Sequence, residues 1–366
     1  MGRKKVGIIF GGKSVEHEVS LQSAKNIVEA IDTEKYEPVL IGIDKQGNWH
    51  VSDPTDYLLH ADDPKKIQLN TSTDVISIIF GDSHQVEAHE HRNVLNTLDA
   101  IFPIVHGTLG EDGSLQGLLR IVDIPYVGPD VLSSAICMDK DIAKKLLTTA
   151  GINVAKGVTF TYTEKEDISF EEVSKKLGNS MFIKPANQGS SVGVSKVTTK
   201  EEFDQGIEEA FTYDHKVIIE ETVVGREVEC SILGNEHPKA SLPGEILPQT
   251  SFYSYESKYI DEDGAVLEAP ANLSDEQIKE VQEVSIAAFK ALQCEGLARV
   301  DVFLTKDGSI YVNEINTLPG FTKISMYPKL WEVSGMTYTN LISELIELGI
   351  QRHERNQQLK SSVYEG

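Results

Sequence analysis

Cysteine is scarce in this chain. Cys137, Cys230 and Cys294 are the only three in 366 residues, widely spaced and without a C-x-x-C pair. That excludes a disulfide-stapled scaffold and a structural zinc ribbon, and it points to a reducing compartment. No apolar run approaches the ~18 residues of a membrane span. The opening "MGRKKVGIIF" has basic residues but too short an apolar stretch for a secretion signal. Positive charge is also short: 34 Lys and Arg face 57 Asp and Glu, a formal charge of −23. Nucleic acid is a poor partner for such a surface, because phosphate binding needs basic residues. A small charged substrate stays open, since local cationic groups override the global field. Internal repeats and low-complexity linkers are missing too. The expectation is a soluble, cytoplasmic protein with no membrane partner.

What is present reads first as alternating strands and helices. "KVGIIF" and "YEPVLIGI" are strands around the amphipathic "SLQSAKNIVEAI". "DAIFPIV" ends a further strand at His106, and the turn-rich "HGTLGEDGS" leads into the helix "LQGLLRIV". This βαβ order predicts a parallel sheet with ligands at the strand C-termini. From Ser133 one long helix, "SSAICMDKDIAKKLLTTAG", is expected to end on Gly151. A small α+β segment follows, with helices near 170–178 and 200–211. After Gly225 come antiparallel strands, a helix from Ser274 to Leu292, and the strand pair "LARVDVFL" and "SIYVNEI". The polar end, "QRHERNQQLKSSVYEG", reads as mobile. The fold class is α/β (α+β overall) in three domains, 1–134, 135–221 and 222–358, with a polar tail at 359–366.

Two short motifs mislead. "GIIFGGKS" satisfies the phosphate-cradling G-x-x-x-x-G-K-[ST] pattern. Its Ile8, Ile9 and Phe10, however, belong inside a strand rather than in a loop whose amides face phosphate. A strand followed by a Gly-Gly turn into a helix fits better, with Glu16 just inside the turn. "GSSVG", residues 189–193, satisfies the hydrolase elbow, which needs strand, serine, then helix. Here it lies between two apparent strands. Two readings stay open: an ordinary hairpin loop, or a small-residue flap that holds phosphate beside Lys184.

The strongest local signal is "RVDVFLTKDGSIYVNEIN". An Asp307-Gly308 two-residue turn would set Asp301 opposite Glu314 and Arg299 opposite Asn316, all on one face. Opposed carboxylates ~4.5–5.5 Å apart repel, so a cation between them is expected. Two carboxylates and an amide suit a hard ion, Mg²⁺ or Mn²⁺, bound with substrate phosphates. A solvated face in an acidic protein is the plainer alternative, but it leaves Arg299 and Asn316 unexplained. "TLPG" then brings the Gly320 amide beside that face, where it and Arg299 suit a developing oxyanion. His84, His89 and His91 read as an exposed polar edge rather than a zinc site. His106 fits a pocket or a structural role equally well, and Trp49 and Trp331 read as packing residues.

The set "GGKSVEHEVS", "HGTLGEDG", "MDK", "IKPANQGSSVGVSKV", "FYSYESKY", "RVDVF" and "NEINTLPGFT" resembles the D-alanine–D-alanine ligases of the ATP-grasp superfamily, in order from residue 11 to residue 326. The resemblance implies a three-domain ATP-grasp fold whose second and third domains clasp ATP. It also implies ligation of two D-alanines through a D-alanyl phosphate, for peptidoglycan precursors, and a homodimer. Lys140 and Lys184 would hold phosphates, with Ser191 and the flap closing over them. Glu220 and Glu221 lie in the adenine-hinge segment, and Glu227 would take the ribose. Asp301, Glu314 and Asn316 would bind two Mg²⁺ or Mn²⁺ ions.

For the amino acids, the resemblance implies that Glu16 holds the first ammonium, with Ser190 and Tyr259 as companions in a lid. His106 would line that pocket. Lys258 would follow the transferred phosphoryl group, and Ser325 with the Met326 amide would take the second carboxylate. The glycine-rich flap and the "SFYSYESKYI" loop would exclude water from the acyl phosphate. A depsipeptide ligase making D-alanyl-D-lactate is the near alternative, but in that branch the lid tyrosine and its partners are lacking. A non-catalytic ATP-binding scaffold would have lost a metal ligand or Arg299. Ligases for other carboxylates would lack "EHEVS" and "KY".

Overall fold

The computed structural model of the chain describes residues 2–71, 75–76, 95–248 and 265–360. The chain opens with β1 (Lys4–Gly11), α1 (His17–Ala30), β2 (Tyr36–Ile43) and β3 (Trp49–Ser52). A short ribbon of β4 (Leu58–Leu59) and β5 (Gln68–Leu69) follows, then β6 (Val75–Ile76) and β7 (Ala100–Ile104). The first sheet runs β6-β3-β2-β1-β7. Its middle, β2-β1-β7, is parallel, while β3 and β6 pair antiparallel at the edge. Val6, Ile8 and Phe10 fill one face of β1 and Ile9 the other, which is why "VGIIF" is apolar throughout. Residues 7–11 are therefore strand, and the phosphate-loop pattern at the N-terminus is coincidence.

Next come α2 (Ser114–Ile121), α3 (Val131–Met138) and α4 (Lys140–Thr149). The expected single helix is thus two, broken at Asp139. The Asp139 carboxylate caps α4 by accepting from the Ile142 N–H at 3.1 Å and pairs with Lys216. The Lys140 N–H leaves the helical pattern for the Ala186 carbonyl, 3.0 Å away. β8 (Gly157–Thr161), α5 (Phe170–Leu177), β9 (Met181–Pro185), β10 (Ser195–Val197), α6 (Lys200–Tyr213) and β11 (Lys216–Glu221) build a second, antiparallel sheet of order β10-β9-β11-β8. Strands β9 and β10 flank the "GSSVG" stretch, so no hydrolase elbow exists here.

The third sheet comprises β12 (Gly225–Gly234), β13 (Lys239–Ala240), β14 (Gly244–Pro248), β15 (Ala265–Glu268), β16 (Gly296–Thr305) and β17 (Ile310–Asn316). Its order is β15-β14-β12-β16-β17, with β13 beside β12, and α7 (Asp275–Ala291) packs on one face. Then follow α8 (Met326–Val333) and α9 (Tyr338–Gln357). Leu341, Ile342, Leu345 and Ile346 of α9 join the same core as Val6, Ile8 and Phe10 of β1. Seven residues read as mobile tail, 351–357, are helical. Buried Arg352 holds them by donating to the carbonyls of Gly128 and Tyr126. Residues 361–366, His84, His89 and His91 lie outside the described residues.

Candidate active site

The β16–β17 hairpin carries the opposed pairs Asp301↔Glu314 and Arg299↔Asn316, as the spacing predicted. The route to that register differs. Leu304 pairs with Ile310, and the Thr305 N–H donates to the Ser309 carbonyl at 2.9 Å, so the loop has three residues with Gly308 at φ +86°. A bulge then inserts Asn313 between the Val302↔Val312 and Asp301↔Glu314 pairs and restores the alignment. The extra residue also turns Asn313 to the same side as Glu314.

That face is crowded with charge. Arg299 grips Asp301 through two bonds of 2.7 Å, and its Nε lies 3.1 Å from Glu229 Oε2. Asn316 Nδ2 donates to Asp301 at 2.9 Å. Lys140 Nζ stands 3.6 Å from Glu314 and donates to the Gln188 carbonyl of the flap at 2.6 Å. The break at Asp139 therefore aims Lys140 between flap and carboxylate row. Among the described residues, no three His, Cys, Asp or Glu side chains stand together as ligands. Two carboxylates and one amide on one face remain a hard-oxygen donor set, and their chemistry fits Mg²⁺ or Mn²⁺.

Lys184 lies deeper. Its Nζ donates to Glu220 at 2.8 Å and lies 3.4 Å from Asn313 Oδ1. Lys144, one turn after Lys140, meets the other oxygen of Glu220 at 2.7 Å. Burial opposes the charge on Glu220, yet Lys184 and Lys144 hold its carboxyl at about 2. Burial likewise opposes the charge on Lys184, but Glu220 raises it above the ordinary lysine range. For Lys144 burial prevails and lowers it. The Glu221 carboxylate instead accepts from the Lys156 N–H at 2.9 Å.

The flap reaches the first sheet. Ser190 Oγ donates to Glu16 Oε1, joining the turn before α1 to the β9–β10 loop. Ser190 and Ser191 both sit at positive φ, +53° and +61°, a conformation costly for non-glycine residues and concentrated at functional sites. Glu111 is half-buried beside Glu16. Burial and then the Glu16 charge push its carboxyl up to about 8, although it accepts from the N–H groups of Gly107 and Leu318. His106 uses both ring nitrogens: Nδ1 donates to the Leu318 carbonyl at 2.9 Å, and Nε2 meets Ser23 Oγ at 3.0 Å. Burial pushes its pKa below the ordinary histidine value. It anchors the 318–321 loop to α1.

Beside that loop, a cavity of about 110 Å³ is lined by Glu229, Arg299, Gly320, Ser325 and Met326 among others. Ser325 precedes α8, and its Oγ accepts from the Thr322 N–H at 3.0 Å. A Cβ on Gly320 would come within 2.9 Å of that oxygen, so a larger residue would have to displace the Ser325 hydroxyl. A second cavity, about 60 Å³, runs along Glu227, Asp301, Asn313 and Glu314. Lys258, Tyr259 and the loop that carries them lie outside the described residues. Sequence reading missed Lys144, Glu111 and Glu229. The available signals were the i, i+4 spacing of Lys140 and Lys144, and the E-x-E alternation that puts Glu227 and Glu229 on one face.

Comparison with known proteins identifies the family. The family model described as D-ala D-ala ligase N-terminus matches residues 5–129, and that described as D-ala D-ala ligase C-terminus matches residues 146–347. A D-alanine–D-alanine ligase of Shouchella clausii is 61% identical over 366 residues, covering 100% of both chains. A D-alanine–D-alanine ligase structure from Coxiella burnetii superposes with TM-score 0.81 at 38% identity, covering 97% of this chain and 98% of that one. A D-Ala:D-Ser ligase structure from Enterococcus faecalis gives 0.79, also at 38% identity, over 95% and 100%. The chain belongs to the D-alanine–D-alanine ligase family and has its ATP-grasp fold.

Proposed function

We propose that the protein joins two D-alanines into D-alanyl-D-alanine for peptidoglycan synthesis, consuming ATP and releasing ADP and phosphate. The observation that carries this reading is the Ser190–Glu16 contact. It brings the side-chain carboxylate of Glu16, in the turn before α1, under a flap whose base carries Lys184 and meets Lys140. Lys140 and Lys184 take ATP phosphates, while Ser191 and the flap amides cover them. The strand end at Glu220 and Glu221 presents backbone to adenine, and Glu227 takes the ribose. Asp301, Glu314 and Asn316 hold two Mg²⁺ or Mn²⁺ ions, which supply positive charge to the phosphates.

Glu16 receives the ammonium of the first D-alanine, with Ser190 and Tyr259 completing the lid. Its carboxylate oxygen attacks the γ-phosphorus and ADP leaves, giving D-alanyl phosphate. His106 supports the pocket from below through the 318–321 loop. The second D-alanine rests its carboxylate on Ser325 and the Met326 amide at the start of α8. Its ammonium first loses a proton to solvent, the neutral amine attacks the acyl carbon, and the departing phosphate, which takes the second proton, leaves beside Lys258. Arg299 and the Gly320 N–H stabilise the oxyanion between. Closure of the flap keeps water from the acyl phosphate. On this reading the units 1–134, 135–221 and 222–358 are functional domains. The enzyme works as a homodimer in the cytoplasm, which sedimentation and cell fractionation check.

The deciding experiment measures phosphate release with ATP and Mg²⁺ on D-alanine alone, D-alanine plus D-lactate, D-alanine plus D-serine, and L-alanine, with products weighed by mass spectrometry. Dipeptide from D-alanine alone supports the reading. Product only with D-lactate or D-serine added would overturn it.

A further inference from the structure

The two cavities of the site share two side chains, Glu229 and Ile246. Glu229 lies on β12 directly across from Asp301, which in turn faces Glu314, so three carboxylates form one cross-strand row. Its side chain is 6% exposed, and Oε2 lies 3.1 Å from Arg299 Nε. A carboxylate offers about four lone-pair positions and can meet more than one cation at a time. Among the acidic side chains of the described residues, Glu229 is the one that lines the cavity at Ser325.

An amino acid with its carboxylate at Ser325 and the start of α8 arrives as a zwitterion. Its ammonium enters a cavity walled on one side by buried side chains and is favoured by an anion there. Arg299 repels it, and Thr322, Ser325 and Gln22 are neutral. We propose that Glu229 receives the ammonium of the second amino acid and thereby selects an amine over a hydroxyl nucleophile. This rests on the ligase reading above and adds the residue that distinguishes the two nucleophiles. A hydroxy acid of the same shape replaces a charge-assisted contact with a neutral one, which a site built for the charged group rejects.

The test is Glu229→Gln in the full-length enzyme, with Glu229→Asp as the charge-retaining control. The parent must first make D-alanyl-D-alanine; if it does not, the ligase reading fails and takes this role with it. Given an active parent, the glutamine variant should raise KM for the second D-alanine about tenfold. KM for ATP and for the first D-alanine should stay within twofold. With D-lactate competing, the depsipeptide share should rise about tenfold, and Glu229→Asp should restore preference for the amine. An equal fall in kcat for both nucleophiles, with KM and product ratio unchanged, would overturn the proposal and leave Glu229 as a support for Arg299. Should the glutamine variant melt far below the parent, inhibition of the parent by D-lactate decides. An inhibition constant within twofold of the second-site KM for D-alanine would refute selection by charge, and one at least tenfold weaker supports it.

Discussion

Replacing Glu220 by Gln removes the negative charge that lies between two buried ammonium groups. In the parent, Lys184 and Lys144 approach its two oxygens at 2.8 and 2.7 Å. They hold the carboxyl at about 2 where 4.5 is ordinary. One step in pKa is worth ~1.4 kcal/mol, so the charged form gains about 3 kcal/mol from the fold. Removing the one carboxylate leaves two buried ammonium groups uncompensated, a change that costs about 3–5 kcal/mol, which agrees. With an unfolding entropy of ~2.1 cal/mol/K per residue, a chain melting as one unit should lose about 4–6 °C. The sign with pH follows from the lowered pKa: this stability is present above the unfolded value near 4.5 and is lost as pH falls through about 2. Lys144→Met is the informative partner variant. Burial outweighs the attraction of Glu220 at Lys144, so losing this ammonium should leave the melting temperature within about 2 °C of the parent. Calorimetry at pH 7 on both variants settles it. A Glu220→Gln melting point within 1 °C of the parent, or a Lys144→Met loss as large as that of Glu220→Gln, would refute the reasoning.

Three further outcomes follow from the site. Glu314→Gln should nearly abolish turnover, about a thousandfold in kcat, while the melting temperature stays near that of the parent; near-normal kcat would remove Glu314 from the metal set. Gly320→Ala puts a methyl 2.9 Å from Ser325 Oγ, so KM for the second D-alanine should rise about tenfold with KM for ATP unaltered. Equal changes in both constants would count against a second-substrate role for that turn. The carboxyl of Glu111 is raised to about 8 by burial and the Glu16 charge. Its contribution to stability is full below about 4.5 and is lost as pH rises through 8. Glu111→Gln should therefore gain on the parent in melting temperature between pH 5 and 8, and a constant difference would show that the carboxyl is not held protonated.

The parts legible in the sequence were those with a short repeat. Period-two alternation announced the hairpin face, and apolar runs announced β1 and β2. The row Arg299, Asp301, Glu314, Asn316 was predicted with a two-residue turn, whereas a three-residue loop and a bulge at Asn313 produce it. Two one-residue departures cancel, and neither leaves a trace in hydrophobic pattern. The break at Asp139 was missed because "MDKDIAKKLL" keeps helical spacing across it. What ends α3 there is the Lys140 amide pairing with Ala186 just past the end of β9, a contact no local pattern encodes. Lys144 and Glu229 escaped for a related reason: their chemistry depends on partners 76 and 70 positions away, Glu220 and Arg299.

The final helix bears on how this protein is made. Val6, Ile8 and Phe10 share their core with Leu341, Leu345 and Ile346, and Lys4 is joined to Glu347 at 2.8 Å. β1 therefore leaves the ribosome more than 300 residues before α9, the second helix of its core, is made. At ~5–20 residues per second, that interval is ~17–70 s. Throughout it, the face of the nascent parallel sheet that α1 covers only in part, through Leu21, Ala24 and Ile27, lacks α9, so a chaperone that shields apolar surface during translation should matter more for its yield than for that of a protein whose first domain closes alone.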